Sequence, residues 1–248
     1  MNPVLLITGG GRGIGAATAL LAARRGYAVA VNYASNSLAA DEVVRTIREG
    51  GGTAIAVQAD VGNEGQVIAM FEKVDAKLGR LTALVNNAGV VDMQARVDEM
   101  SVARLERMFR INVIGSFVCA REAVRRMSTK HGGQGGAIVN ISSGAARLGS
   151  PGQYVDYAAS KAAIDTLTIG LAKEVGDEGI RVNAVRPGLI DTEIHASGGM
   201  PDRAAELAPT VPMKRTGSPE EIAGAILWLL SDEASYTTMA LLDVTGGR

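Results

Sequence analysis

The 248 residues carry 25 basic and 26 acidic side chains, a net charge of −1, and 47% of them are hydrophobic, a balance that excludes a disordered chain. Glycine is the one strong bias, 31 residues or roughly an eighth of the chain against about 7% in ordinary proteins, yet without the repeat of collagen. No apolar run reaches the roughly 18–20 residues that span a bilayer, Met1 to Thr8 has no basic leader region, and no basic stripe marks a nucleic-acid surface, so a cytoplasmic protein that handles small molecules is expected.

In chain order, short β-branched runs predict strands at Val4 to Thr8, Ala28 to Tyr33, Thr53 to Gln58, Leu81 to Asn86, Ala137 to Ser142, Arg181 to Val185 and Met239 to Val244. Apolar residues at helical spacing predict helices over Ile14 to Arg25, Leu38 to Glu49, Glu64 to Leu78, Val102 to Met127, Tyr154 to Val175 and Pro219 to Leu230. Strict alternation of the two types, with strands such as Val4-Leu5-Leu6-Ile7 apolar throughout, predicts an α/β fold. A Rossmann-like, doubly wound and mostly parallel seven-stranded sheet would be covered by helices on both faces. No repeat or linker divides the chain, so residues 1–248 are read as one domain. The irregular stretch Gly188 to Gly217 is the candidate substrate lid.

The first strand runs into Thr8-Gly9-Gly10-Gly11-Arg12-Gly13-Ile14-Gly15, which opens the first helix. Backbone N–H groups at such a junction face an anion without interference from Cβ atoms, which points to a dinucleotide; the absence of Gly-Lys-Ser/Thr disfavours an ATP loop. An NAD site places an acid at the end of the second strand for the ribose hydroxyls. Here that place reads Asn32-Tyr33-Ala34-Ser35-Asn36. Arg12 in the loop can pair with a 2′-phosphate, which favours NADP and leaves NAD open.

Tyr157 and Lys161 stand four apart on a predicted helix and share one face. A cation beside a phenol favours its ionised form, so a phenol pKa below its usual value near 10 is expected. Such pairs are most often mere surface neighbours, but Ser142-Ser143 ends a strand just before, and ligands of open α/β sheets bind at strand C-termini. Asn86-Asn87-Ala88-Gly89 ends another strand, and Asn112 sits inside a helix, where asparagine is mildly unfavourable.

In this order, Thr8-Gly9-x-x-x-Gly13-x-Gly15, Asn86-Asn87-Ala88-Gly89, Asn112, Ser143, Tyr157-x-x-x-Lys161 and Pro187-Gly188 resemble the short-chain dehydrogenase/reductase family along essentially the whole chain. The resemblance implies an NAD(P)-dependent oxidoreductase with Asn112, Ser143, Tyr157 and Lys161 as its catalytic group. It further implies that Gly9, Arg12, Gly13, Ile14, Gly15, Asn32, Asp60, Val61, Asn87, Ala88, Gly89, Pro187, Gly188, Ile190 and Thr192 bind the cofactor, together with Tyr157 and Lys161. The adenine would contact Asp60-Val61, and the nicotinamide carboxamide would contact Ile190 and Thr192. The likeness is strongest to bacterial sugar- and 3-oxoacyl-reductase-like oxidoreductases, through Tyr154-Val155-Asp156-Tyr157 and Ile190 to Ala196. It implies a carbonyl or secondary-alcohol substrate and a homotetramer or dimer, with no nucleic-acid or membrane partner. A dinucleotide-binding regulator or scaffold without turnover is the alternative.

Two departures stand out. Many relatives place the serine one residue nearer the tyrosine, which leaves Ser142 as an alternative hydroxyl. Met239 stands where glycine is usual after Thr238, which puts packing of the last strand in question through added volume. Of the remaining residues, Tyr154 reads as a cleft wall, while Asp191 and Glu193 read as helix caps or lid charges. Cys119 reads as a packed small hydrophobe, and His131 and His195, far apart in sequence, as loop or packing residues without metal-ligand spacing.

Overall fold

The computed structural model describes residues 2–193, 198–200 and 202–248. Its sheet has seven parallel strands: β1 (Val4–Ile7), β2 (Ala28–Tyr33), β3 (Ala54–Gln58), β4 (Ala83–Asn86), β5 (Gly136–Ile141), β6 (Ile180–Pro187) and β7 (Leu241–Val244). Their order is β3-β2-β1-β4-β5-β6-β7, with β1 paired to β2 from Val4↔Ala28 and to β4 from Leu5↔Ala83. The fold is Rossmann-like, as the alternation of strands and helices predicts. Because the order reverses beside β1, the loops after β1 and β4 leave the sheet in opposite directions and open a crevice at the strand ends.

Alternate residues of one strand feed two separate cores. Leu5 and Ile7 pack with α1 (Gly13–Arg24), α2 (Ser37–Glu49) and the last helix, Pro219–Leu230. Val4 and Leu6 face the other side, with α3 (Glu64–Leu78), α5 (Gly115–Met127) and α7 (Val155–Val175). A strand buried on both faces must be apolar at every position, which is why β1 shows no period of two. The last helix starts at a capping box: Ser218 accepts from the Glu221 amide and Glu221 accepts from the Ser218 amide, with Pro219 in the first turn.

Three boundaries differ from the sequence expectations. The predicted helix Val102 to Met127 is α4 (Val102–Phe109) and α5, joined by a π-helical turn at Arg110–Ile114. A π turn keeps the apolar period running, so helical spacing alone does not reveal it. The last strand begins at Leu241 because Met239 has a φ of +65°. Its side chain is 43% exposed, so what glycine would supply there is backbone freedom and not space. The candidate lid is not uniformly irregular: Ile190 bridges Gly217, and Arg203–Leu207 is a short helix; a further short helix outside the lid is α6 (Ala145–Leu148). His195 lies outside the described residues. No described helix is long and apolar enough to cross a membrane.

Candidate active site

Beyond β1 the chain turns tightly into α1. Gly9 and Gly13 have φ of +61° and +51°, and a Cβ on Gly15 would lie 2.5 Å from the Gly9 carbonyl oxygen, so the turn demands glycine. Neighbouring strand ends hold its shape. The Gly9 N–H donates to Asn32 Oδ1 at 3.1 Å, while Asn32 Nδ2 donates to the carbonyls of Val57 and Ala59. Asn87 Nδ2 donates to the carbonyls of Thr8 and Gly9 at 2.9 and 3.0 Å, and the Thr8 hydroxyl accepts from the N–H groups of Asn87 and Ala88. The side chains of Asn32 and Asn87 therefore shape the loop, and Thr8 is the hub that the sequence reading left without a role. Helix α1 has no acid in its first turn and no side-chain cap. Its N–H groups and the close-packed glycine cradle fit a pyrophosphate.

A cleft of about 600 Å³ starts at this loop. Arg12, Tyr33, Ser35 and Asn36 line one end, Asp60 and Val61 the next stretch, and Ser143, Tyr157 and Lys161 the other end. Arg12 is exposed at the rim. Asp60 Oδ1 accepts from the Gly62 N–H at 2.8 Å, which sets the turn after β3. Gly188 packs so closely on the end of β7 that a Cβ would lie 2.6 Å from Thr245 Cα, and Ile190 and Thr192 bring the lid segment back over the loop. A Cβ on Gly13 would touch Thr192 Cγ2 at 3.3 Å.

At the far end, Lys161 is buried on α7, one turn beyond Tyr157. Its Nζ donates to the Ile141 carbonyl at 2.7 Å and lies 5.7 Å from the centre of the Tyr157 ring. Ser143 Oγ accepts from the Ala145 N–H at 3.1 Å, and its hydroxyl is near enough to the Tyr157 phenol to favour its ionised form. Ser142 is buried instead, its hydroxyl donating to the Lys161 carbonyl at 3.0 Å, so of the two serines it is Ser143 that lies near the phenol. Asn112, in the π turn, is fully buried: its Oδ1 accepts from the Val90 N–H at 2.8 Å, and its Nδ2 donates to the Val90 carbonyl at 3.0 Å and to Ser160 Oγ at 3.1 Å. Gly89 lies between these groups, where a Cβ would meet Lys161 Nζ at 3.4 Å and Asn112 Oδ1 at 3.5 Å.

The direction of the phenol's pKa differs from the sequence expectation. Burial pushes Tyr157 above 10, with the Ser143 hydroxyl and then the charge of Arg203 acting against it. Burial likewise pulls Lys161 down to about 8, with Asp165 opposing. Desolvation outweighs the pairing that spacing alone suggests. Elsewhere, burial pushes the Cys119 thiol up to about 12, which makes it inert. Tyr154 is buried in the cleft wall and donates to the Gly198 carbonyl. The sequence reading assigned no role of its own to Asp156, buried next to Tyr157 in the chain, whose carboxylate holds Arg104 at 2.7 Å, or to Arg203, which lines the cleft from the short helix.

Residues 9–248 match the family described as enoyl-(acyl carrier protein) reductase. The chain is 57% identical over 245 residues to an uncharacterized oxidoreductase of Escherichia coli, YgfF, covering 99% of each. It is 40% identical to a 3-oxoacyl-[acyl-carrier-protein] reductase of Synechocystis, over 98% of this chain and 96% of the other. It is 38% identical to glucose 1-dehydrogenase 2 of Bacillus subtilis, over 98% and 93%. A dehydrogenase/reductase from Sinorhizobium meliloti superposes with a TM-score of 0.91 at 35% identity, over 99% of this chain and 94% of that one. A short-chain dehydrogenase/reductase from Serratia marcescens gives 0.90 at 35% identity, over 99% and 97%. With its glycine cradle, its parallel sheet and full-length relatives of this kind, the chain belongs to the short-chain dehydrogenase/reductase family of NAD(P)-dependent oxidoreductases.

Proposed function

We propose that the protein interconverts a carbonyl and a secondary alcohol with NADP as its preferred cofactor, and that Tyr157 exchanges the proton. The observation that carries this reading is the convergence of Ser143, Tyr157 and Lys161 in the same cleft as the glycine cradle. When bound, the nicotinamide cofactor gives or takes the hydride. Gly9, Gly13, Ile14 and Gly15 would hold its pyrophosphate, Arg12 a 2′-phosphate, and Asp60 and Val61 its adenine end. Ala88, Gly89, Pro187, Gly188, Ile190 and Thr192 would line its nicotinamide half, with Asn32 and Asn87 acting through the loop they brace. In reduction, Tyr157 donates its proton to the carbonyl oxygen and Ser143 polarises that oxygen. Lys161 holds the nicotinamide ribose and supports the phenolate. Asn112 aligns the Val90 backbone at the wall of the site.

The same reading makes residues 1–248 one domain with a substrate lid at 188–217, working in the cytoplasm as a homotetramer or dimer. The named relatives support a screen of sugars, polyols, 3-oxoacyl thioesters and simple ketones with both cofactors. Cofactor oxidation with at least one carbonyl class is the expected result; tight NADPH binding without oxidation on any of them would favour a non-catalytic regulator. NADPH should bind more tightly than NADH, and Arg12→Ala should weaken NADPH by about tenfold while sparing NADH, the scale of one charge-assisted contact. Equal dissociation constants in the native protein would remove the NADP preference.

A further inference from the structure

Arg203 opens the short helix that forms part of the substrate side of the cleft. That helix is rooted, since Ala204 and Leu207 pack against Leu189 and Val211. The side chain is held from two directions: its Nη2 donates to Gln153 Oε1 at 2.7 Å, and its guanidinium lies 5.3 Å from the centre of the Tyr154 ring. Gln153 is itself tied down, its carbonyl accepting from the Ala95 N–H at 3.0 Å. An arginine is seldom immobilised and partly withdrawn from water without an acid beside it. Yet among the described residues no carboxylate forms an ion pair with Arg203. Burial is the largest influence on its charge and disfavours it, as does Arg248, another cation lining the cleft, while the Tyr154 and Tyr157 phenols oppose them.

The distribution of charge along the cleft sharpens the point. Among the described residues, the acids that line it are Asp60 and Glu193. Asp60 follows β3, and Glu193 lies by Gly13 at the phosphate loop. Around Tyr157 the lining is apolar or hydroxylic, with Ala145, Leu148 and Tyr154, and the charged side chains that line the cleft away from the phosphate loop and Asp60 are all cations, Arg107, Lys161, Arg203 and Arg248. Arg203 is also close enough to influence the Tyr157 phenol. A guanidinium fixed by stacking and one hydrogen bond keeps other N–H groups for a planar oxyanion, which it meets in bidentate geometry.

We infer that Arg203 is the anchor for a carboxylate on the substrate, so that the enzyme acts on oxo acids or hydroxy acids in which the reacting carbon and the carboxylate are held apart by an apolar body. The inference rests on the carbonyl reading above but is tested without turnover. In calorimetric titration of the protein saturated with NADPH, benzoate binds at least tenfold more tightly than benzamide. Arg203→Met loses that difference, and Arg203→Lys, which keeps the charge without the fork, retains part of it. NADPH affinity, measured by fluorescence, stays unchanged in both variants. Equal binding of benzoate and benzamide by the native protein would overturn the assignment, as would an undiminished preference in Arg203→Met. A parallel loss of NADPH affinity would also overturn it, by giving Arg203 to the cofactor. A kinetic arm then compares oxo acids with their methyl esters: the native enzyme favours the acid through KM, and Arg203→Met removes that advantage. A failure of every carbonyl to react, with benzoate still preferred, would sink the carbonyl–alcohol reading and leave the carboxylate site standing.

Discussion

The chemistry at the reacting end turns on groups whose ionisation is set by burial. Tyr157→Phe removes one hydroxyl and keeps the ring, so thermal stability and NADPH affinity should change little. Turnover should fall about 10²–10⁴-fold, the range of a lost general acid or base; near-native turnover would reopen Tyr154 as the proton donor. In the proposed mechanism Lys161 acts as a cation, and burial pulls its pKa down to about 8. The rate of reduction should therefore be highest below pH 8 and fall as the pH rises through that value. In Lys161→Met the fall near pH 8 should vanish, along with most of the rate and part of the cofactor affinity. A profile flat from pH 6 to 10 in the native enzyme would contradict the role of the ammonium. Met239 poses a different residue-scale problem. Its φ of +65° costs an L-residue about 1–2 kcal/mol, while glycine adds about 0.4–1 kcal/mol of unfolded-chain entropy. Met239→Gly should stabilise the fold by about 0.5–1 kcal/mol in urea denaturation, because the Met239 N–H bond to the Val182 carbonyl is unaffected. A destabilised variant would mean that the half-exposed side chain contributes packing of equal size.

At the scale of elements, the π turn at Arg110–Ile114 is what carries Asn112 to Val90. One extra residue in the turn lets α4 and α5 run on as an almost continuous rod while one amide points inward, a common device next to binding sites. Asn112→Ala leaves the Val90 N–H and carbonyl without these partners. The expected cost is about 1–3 kcal/mol in stability, with a larger proportional loss in turnover, since Gly89, which lies against this amide, also lies against Lys161 Nζ. Loss of stability with turnover per folded molecule unchanged would make Asn112 a purely structural residue. The existence and type of the elements were legible in the sequence because short β-branched apolar runs of strand length alternate with longer segments of helical length. The π turn was not, because helical spacing persists through it, and neither was the short helix at Arg203, which has too few residues to establish a period.

For the molecule as a whole, the exposed apolar residues are unevenly placed. Val102, Phe109, Ile114 and Phe117 are exposed along α4, the π turn and α5, whereas Leu167 on α7 is already buried within the chain. The outward side of α7 presents the small residues Ala159, Thr166 and Gly170. An apolar stripe beside a smooth helix suits a two-fold pairing of copies. Light scattering should report a dimer or tetramer, and Phe117→Asp should shift it toward smaller species while circular dichroism stays native; a native monomer at all concentrations would count against the pairing. The glycine loop, the Tyr157–Lys161 spacing and the order of strands and helices were determined by the sequence itself. They rest on backbone permissiveness and periodicity, which are local properties. Tertiary structure alone decided the assignment of Asn32 and Asn87 to bracing the loop, the burial of Ser142 against the Lys161 carbonyl, the upward shift of Tyr157 and the placing of Arg203 near it. Each of these depends on the distance and burial of groups that meet only when remote segments pack, and those are quantities that spacing along a chain does not encode.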